Sequence, residues 1–135
     1  MKNEKYIELL KDINKKAYAP YSNFKVSAVL VTKSGKVFTG TNVENLSYGA
    51  TMCAERVAIF SAVSSGETEF ETIYLYSTDH LGKHNLTPPC GLCRQVMSEF
   101  SMDMNVVMIS DEGSLTKTVK ELIPLHFDND FLPKK

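Results

Sequence analysis

The chain has 135 residues, the size of one domain, and 43% of them are hydrophobic, which is enough for a core without disulfide support. Its formal net charge of −1 argues against a chain-wide attraction to nucleic acid or to anionic lipid. The first 16 residues are charged throughout and hold no apolar signal segment, and no stretch approaches the roughly 20 apolar residues of a membrane span, so we expect a cytoplasmic protein with no membrane partner.

The spacing of apolar residues predicts helices and strands that alternate along the chain. The first element is an amphipathic helix over residues 3–17, which Asn3 can cap and Pro20 ends. The next predicted elements, in chain order, are strands 24–32 and 37–43 around a Ser34-Gly35 turn, a polar loop over 44–51, a helix over 52–64, strand 72–77, a loop to Pro88-Pro89, a helix over 90–100 and strand 105–110. Residues 114–123 are ambiguous between a fifth strand and a short helix.

This order of elements predicts an α/β fold in a single domain over residues 1–135. Helices that alternate with strands imply a mixed sheet with helices packed on its faces. The opening hairpin is antiparallel, whereas the crossovers through the 52–64 and 90–100 helices favour parallel neighbours.

All three cysteines lie at predicted helix starts: Cys53 in the second helix, and Cys90 and Cys93 in the third. The partial positive charge of a helix N-terminus lowers the pKa of a thiol, and thiolates are ligands that Zn²⁺ prefers. Three buried small hydrophobes or a redox dithiol are alternatives, but a dithiol leaves Cys53 without a role. His80 and His84 are expected to be solvent-exposed loop residues, so the interpretation favoured is three cysteines plus water.

Charged residues accompany each cysteine. If Cys53 caps its helix and Glu55 lies in the first turn, both face one cavity, and Glu55 reaches a zinc-bound water as a general acid and base. The alternative for Glu55 is a glutamate that only complements the helix dipole. Arg56 and Arg94 lie at i+3 from Cys53 and i+4 from Cys90, where each can offset thiolate charge. Ordinary surface arginines are the alternative for both.

Four segments resemble those of the cytidine deaminase family, in the same order: "AYAPYSNFKVSAVLV", "GTNVENLSYGATMCAER", "PPCGLCRQVMSEF" and "VKELIPLHF". They span roughly residues 17 to 127, and two of them carry the zinc motifs. The resemblance implies a three-layer α/β/α sandwich around a mixed five-stranded sheet. It also implies a homotetramer with one zinc ion per subunit and sites shared between subunits. Cys53, Cys90 and Cys93 are then the zinc ligands and Glu55 the catalytic residue.

The resemblance also implies roles around the substrate. Phe24 would pack on the pyrimidine ring, Asn42 and Glu44 would bind the ribose hydroxyls, and the backbone at Ala54 would donate to the base carbonyl. Tyr48 and Phe127 would reach a site, in part across subunits, and Gln95 with the two arginines would surround the zinc site. Alternation about Val43 lets Asn42 and Glu44 point the same way. A capping Asn, an exposed loop Glu and core aromatics are the alternatives.

The function implied is zinc-dependent hydrolysis of cytidine and 2'-deoxycytidine to uridine and 2'-deoxyuridine, in pyrimidine salvage. One alternative is deamination of a related small substrate such as blasticidin S, and another is a zinc module without activity. A polynucleotide deaminase is disfavoured because the chain is nearly neutral and has no basic cluster. The 78–88 loop is longer than usual for the family.

Overall fold

The computed structural model describes residues 2–132. The helices are α1 (Lys2–Asn14), α2 (Ala54–Ser64), α3 (Gly91–Phe100) and α4 (Val119–Leu122), and the strands are β1 (Lys25–Thr32), β2 (Val37–Thr41), β3 (Phe70–Thr78), β4 (Asn105–Ser110) and β5 (Gly113–Thr118). Two short 3₁₀ turns cover Tyr48–Ala50 and Asn129–Phe131. None of the helices within residues 2–132 combines the length and the apolarity that a membrane span requires.

The strands form one mixed sheet in the order β2-β1-β3-β4-β5. β3 and β4 are parallel neighbours, as the crossover through α3 predicts. The same prediction is wrong for the crossover through α2, because β1 lies between β2 and β3 and pairs antiparallel with both. The helix therefore joins two strands of equal direction that are not neighbours.

Helices cover both faces of the sheet, which confirms the predicted three-layer architecture. One apolar cluster joins α2 and α3 to the sheet through residues such as Ile59, Met97 and Met108. A second cluster packs α1 on the opposite face through Tyr6, Leu10 and Ile13. Because helices cover both faces, the central strands β3 and β4 are buried along most of their length.

One local prediction is wrong, and the structure resolves one segment that the sequence left ambiguous. Asn3 does not cap α1: the residue lies inside the helix, and its Oδ1 accepts a hydrogen bond from Tyr74 Oη at 3.1 Å. The ambiguous segment 114–123 contains both structures that were predicted for it. Strand β5 ends at Thr118, which then caps α4 in a reciprocal pair with Glu121.

The start of α2 lies directly against β2 at Gly40. A Cβ atom at residue 40 would lie 2.4 Å from Ala54 O and 2.6 Å from Ala58 N. Only a residue without a side chain therefore allows this approach of helix to strand. The contact fixes the position of the helix turn that carries the predicted catalytic residues.

Candidate active site

The three cysteines meet at the adjoining starts of α2 and α3. Cys53 and Cys90 occupy the extended N-cap positions of these helices, and Cys93 lies in the first turn of α3. The Sγ atoms of Cys53 and Cys90 are 3.7 Å apart, those of Cys90 and Cys93 are 3.5 Å apart, and all three lie within 4.8 Å of one another. Tetrahedral zinc with Zn–S bonds of about 2.3 Å places its sulfurs about 3.8 Å apart. The donor set and its spacing therefore fit zinc.

Among residues 2–132, no histidine or carboxylate joins this cluster. Three protein ligands leave a fourth position free, which is the arrangement of catalytic rather than structural zinc. The three predicted ligands thus lie together, and water as the fourth ligand stays a prediction.

The contacts among the thiols move the pKa values of Cys53 and Cys93 in opposite directions in the metal-free chain. A hydrogen bond from Cys93, helped by the Arg56 guanidinium, lowers the pKa of Cys53 to about 5, although burial opposes the shift. The same hydrogen bond, together with burial, raises the pKa of Cys93. Zinc binding must therefore displace a proton from the cluster, which makes the affinity for zinc dependent on pH.

Arg56 makes the contact that its i+3 position predicts. Its Nη2 donates to Cys53 Sγ at 3.4 Å. Its Nε–H is buried and makes no hydrogen bond within the described part of the chain. A guanidinium in this position offsets part of the negative charge of three thiolates.

The corresponding prediction for Arg94 is wrong. Arg94 does not reach a thiol: its Nε donates to Pro89 O at 2.8 Å and its Nη1 to Leu122 O at 2.9 Å. The side chain thereby fixes the residue before Cys90 and ties α3 to the end of α4. Gln95 extends this link, because its Nε2 donates to Phe127 O at 2.8 Å.

Glu55 is buried beside the thiols, with only 5% of the residue exposed. It is the second residue of α2, in the first turn of the helix that Cys53 caps. Glu55 and Cys53 line the same cavity, as the sequence predicts. Burial, together with the negative charge of Cys53, raises the pKa of this carboxyl to about 7. A carboxyl that is half protonated near neutral pH can both accept and donate a proton.

The cavity has a volume of about 190 Å³ and an apolar lining. Phe24, Asn42 and Ala54 line it, as expected for three of the predicted substrate residues. Asn42 also holds the entry to β1: its Oδ1 accepts from Val26 N at 2.9 Å and its Nδ2 donates to Phe24 O at 2.8 Å. These two bonds fix the backbone that carries the Phe24 ring into the cavity.

Glu44, Tyr48 and Phe127 lie outside the lining of this cavity. Glu44 does not point with Asn42: its carboxylate accepts from Tyr21 N at 3.0 Å and from the backbone and hydroxyl of Ser22, and the hydroxyl bond lowers its pKa. Tyr48 is 75% exposed and Phe127 is 61% exposed. Within one chain, these residues do not meet the buried site.

Sequence reasoning missed the wall of the cavity that the end of β3 and the loop before α3 build. Ser77 Oγ and Thr87 Oγ1 lie 2.7 Å apart, and both residues line the cavity. The one available signal was the position of Thr87 directly before the Pro-Pro-Cys motif. The prediction that His84 is solvent-exposed is also wrong, because only 29% of its side chain is accessible and its ring packs on Tyr76.

The chain is similar to known deaminases over nearly its whole length. A family model described as the cytidine and deoxycytidylate deaminase zinc-binding region matches residues 1–109. A probable cytidine deaminase of Dictyostelium discoideum is 41% identical over 133 residues, which cover 98% of this chain and 88% of that protein. A blasticidin-S deaminase of Bacillus cereus is 35% identical over 128 residues, covering 90% and 91% of the two chains. The crystal structure of cytidine deaminase from Burkholderia pseudomallei superposes with a TM-score of 0.85 at 44% identity, covering 94% of this chain and all of that one.

Proposed function

The chain belongs to the cytidine and deoxycytidylate deaminase family, and from this we propose that it hydrolyses the C4 amine of cytidine and 2'-deoxycytidine. The products are ammonia and uridine or 2'-deoxyuridine. The observation that carries the proposal is the buried carboxyl of Glu55, which faces the same apolar cavity as a triangle of thiols spaced for zinc. A small cavity with an aromatic wall suits a single pyrimidine base.

Cys53, Cys90 and Cys93 would hold one zinc ion per subunit. When bound, the zinc ion would act as a Lewis acid that makes water nucleophilic near neutral pH. Glu55 takes a proton from the attacking water and delivers it to N3 of the base. The carboxyl then takes the second proton of that water from the oxygen now bound to C4 and delivers it to the amine. The C4–N bond breaks as the C4=O bond forms, and ammonia leaves. A pKa near neutrality lets Glu55 perform both transfers.

The surrounding residues would orient the base. Phe24 packs on the pyrimidine ring from the wall of the cavity, and the backbone at Ala54, in the first turn of α2, donates to the base carbonyl. Asn42 holds the segment that bears Phe24 and would meet the ribose, as family resemblance implies.

The test is a Glu55→Gln variant assayed on cytidine by the ultraviolet change on deamination, with zinc quantified in the same sample. The amide keeps the shape of the side chain but cannot move protons, so we expect normal zinc content and a fall in kcat of roughly 10²- to 10⁴-fold. Glu71→Gln, at an exposed glutamate of β3, is the matched control and should behave as wild type. A Glu55→Gln protein with near-normal kcat would contradict the proposed acid-base role.

A second candidate substrate is blasticidin S. The similarity to a blasticidin-S deaminase supports it, but that protein is less similar than the cytidine deaminases compared above. The same ultraviolet assay on cytidine, deoxycytidine and blasticidin S separates the two, and we expect kcat/KM to be higher for the nucleosides.

We further propose a homotetramer in which neighbouring subunits complete each site. Tyr48 and Leu46 expose large apolar surface on the loop before α2, and Phe127 does so near the chain's end. Such exposed aromatics are typical of interfaces. Light scattering of the wild-type protein against Tyr48→Ser tests this: the variant should shift toward smaller species, and a monomeric wild type would contradict the proposal.

A role in pyrimidine salvage in the cytoplasm agrees with the chemistry of the cysteines. All three are free thiols gathered at one site, which a reducing compartment preserves. Growth on cytidine as the pyrimidine source, in a host that lacks its own deaminase, tests the salvage role.

A further inference from the structure

The loop between β3 and α3 is internally ordered around Asp79. The Oδ1 atom of Asp79 accepts from Leu81 N at 2.9 Å and from Lys83 N at 3.0 Å, and its Oδ2 accepts from Asn85 Nδ2 at 3.4 Å. These bonds close the first half of the loop into a compact turn. The second half continues past His84 to the wall of the cavity.

His84 fastens this loop to two neighbouring elements. Its Nε2 lies 2.9 Å from Tyr76 Oη, and the two rings overlap with centroids 4.6 Å apart. Its backbone forms a two-bond pair with Asp111, in the turn between β4 and β5: His84 N donates to Asp111 Oδ2 at 3.3 Å, and Asp111 N donates to His84 O at 3.0 Å. The ring also approaches Asp111 Oδ1 to 3.7 Å.

The residues that follow His84 form part of the cavity wall. Thr87 and Pro88 line the cavity, and Tyr76, the ring partner of His84, lines it as well. The wall is held from β3 by Ser77, whose Oγ donates to Asn85 O at 3.2 Å and pairs with Thr87 Oγ1. Beyond Pro88, the bond from Arg94 to Pro89 O fixes the chain just before Cys90.

Ser77 thus holds the wall segment 85–89 along its length, and a further attachment lies at each end. Only the Arg94 attachment belongs to α3, the helix that carries Cys90 and Cys93. We propose that His84 is a positioning residue that sets the cavity wall at Thr87 and Pro88, and through it the affinity for substrate. His84 does not belong to the thiol cluster, so it leaves the chemistry of zinc and Glu55 unchanged. The proposal rests on the deaminase function proposed above.

This role predicts a split between KM and kcat. His84→Ala removes the ring contact and the bond to Tyr76, so we expect KM for cytidine to rise about 10-fold, with kcat within about 3-fold of wild type and one zinc ion per chain. His84→Gln keeps a polar atom near the place of Nε2 and should restore most of the lost affinity. His80→Ala, at an exposed histidine of the same loop, is the matched control and should leave KM unchanged.

Hydrogen exchange of the zinc-loaded protein gives a readout that needs no substrate. In His84→Ala, the amide of Asp111, which donates to the backbone O of residue 84, should exchange at least about 10-fold faster than in His80→Ala, while the amides of α2 stay protected. An unchanged KM, a KM that rises equally in His80→Ala, or unchanged exchange of the Asp111 amide would overturn the proposal. If wild-type protein does not deaminate cytidine, the proposed function fails, and the exchange result by itself decides whether His84 holds the wall.

Discussion

Gly40→Ala should damage the site although Gly40 itself does not line the cavity. The new Cβ would lie 2.4 Å from Ala54 O and 2.6 Å from Ala58 N, whereas ordinary contacts begin at 3.4 Å. Both atoms belong to the backbone of α2, so no side-chain rotation relieves the clash. The helix start must therefore move away from β2 by about 1 Å, or the strand must bend by as much.

Two losses follow from this shift. Overpacking costs about 1–3 kcal/mol in ordinary cores, and we expect about 3 kcal/mol here because the clash is with backbone. For a chain of this size that corresponds to a fall in Tm of about 10 °C. A displacement of about 1 Å at Cys53 and Glu55 should also lower kcat/KM about 100-fold.

The assays are thermal unfolding by circular dichroism and cytidine turnover, both on zinc-loaded protein. Thr39→Ala, at the exposed residue next to Gly40 on β2, is the control and should change stability by less than about 1 kcal/mol. A Gly40→Ala protein whose Tm and kcat/KM match those of Thr39→Ala would refute the reasoning.

Two further predictions concern the arginines of the site. Arg56→Ala removes the bond to Cys53 Sγ, so zinc affinity measured by chelator competition should fall about 10- to 100-fold, and unchanged affinity would rule out the charge-offset role. Arg94→Ala leaves the backbone carbonyls of Pro89 and Leu122 without their hydrogen bonds from Arg94, so the free energy of unfolding should fall by about 2 kcal/mol. The contact of Arg56 with Cys53 should persist. A Tm equal to that of wild type would contradict this account.

Local chemistry made much of the fold predictable. The helices and strands follow from apolar periodicity, and the start of α3 follows from the prolines that precede it. The neighbours of a strand do not follow from such patterns. β1 lies between β2 and β3 and pairs with one of them along each of its two edges, and no local signal states this.

The same limit applies to side chains that reach far from their own turn. Helical spacing placed Arg56 beside Cys53 correctly, because three residues bring two side chains together. The i+4 spacing predicted in the same way that Arg94 lies near Cys90. Its long side chain instead donates to the carbonyls of Pro89 and Leu122. The second of these lies 28 residues away in sequence, so only the packing of α4 on α3 reveals it.

The residues that perform the proposed chemistry and the residues that position them thus differ in how a substitution acts. Glu55 works by proton transfer from a buried carboxyl, so replacing it with an amide of equal shape should cost activity and little stability. Gly40 and Arg94 work by fixing where a helix or loop begins, so their loss should lower stability and activity together. The ratio of the loss of activity to the loss of stability therefore separates a chemical role from a positional one. It can be measured for residues such as Gly40 and Arg94, which carry no reactive group.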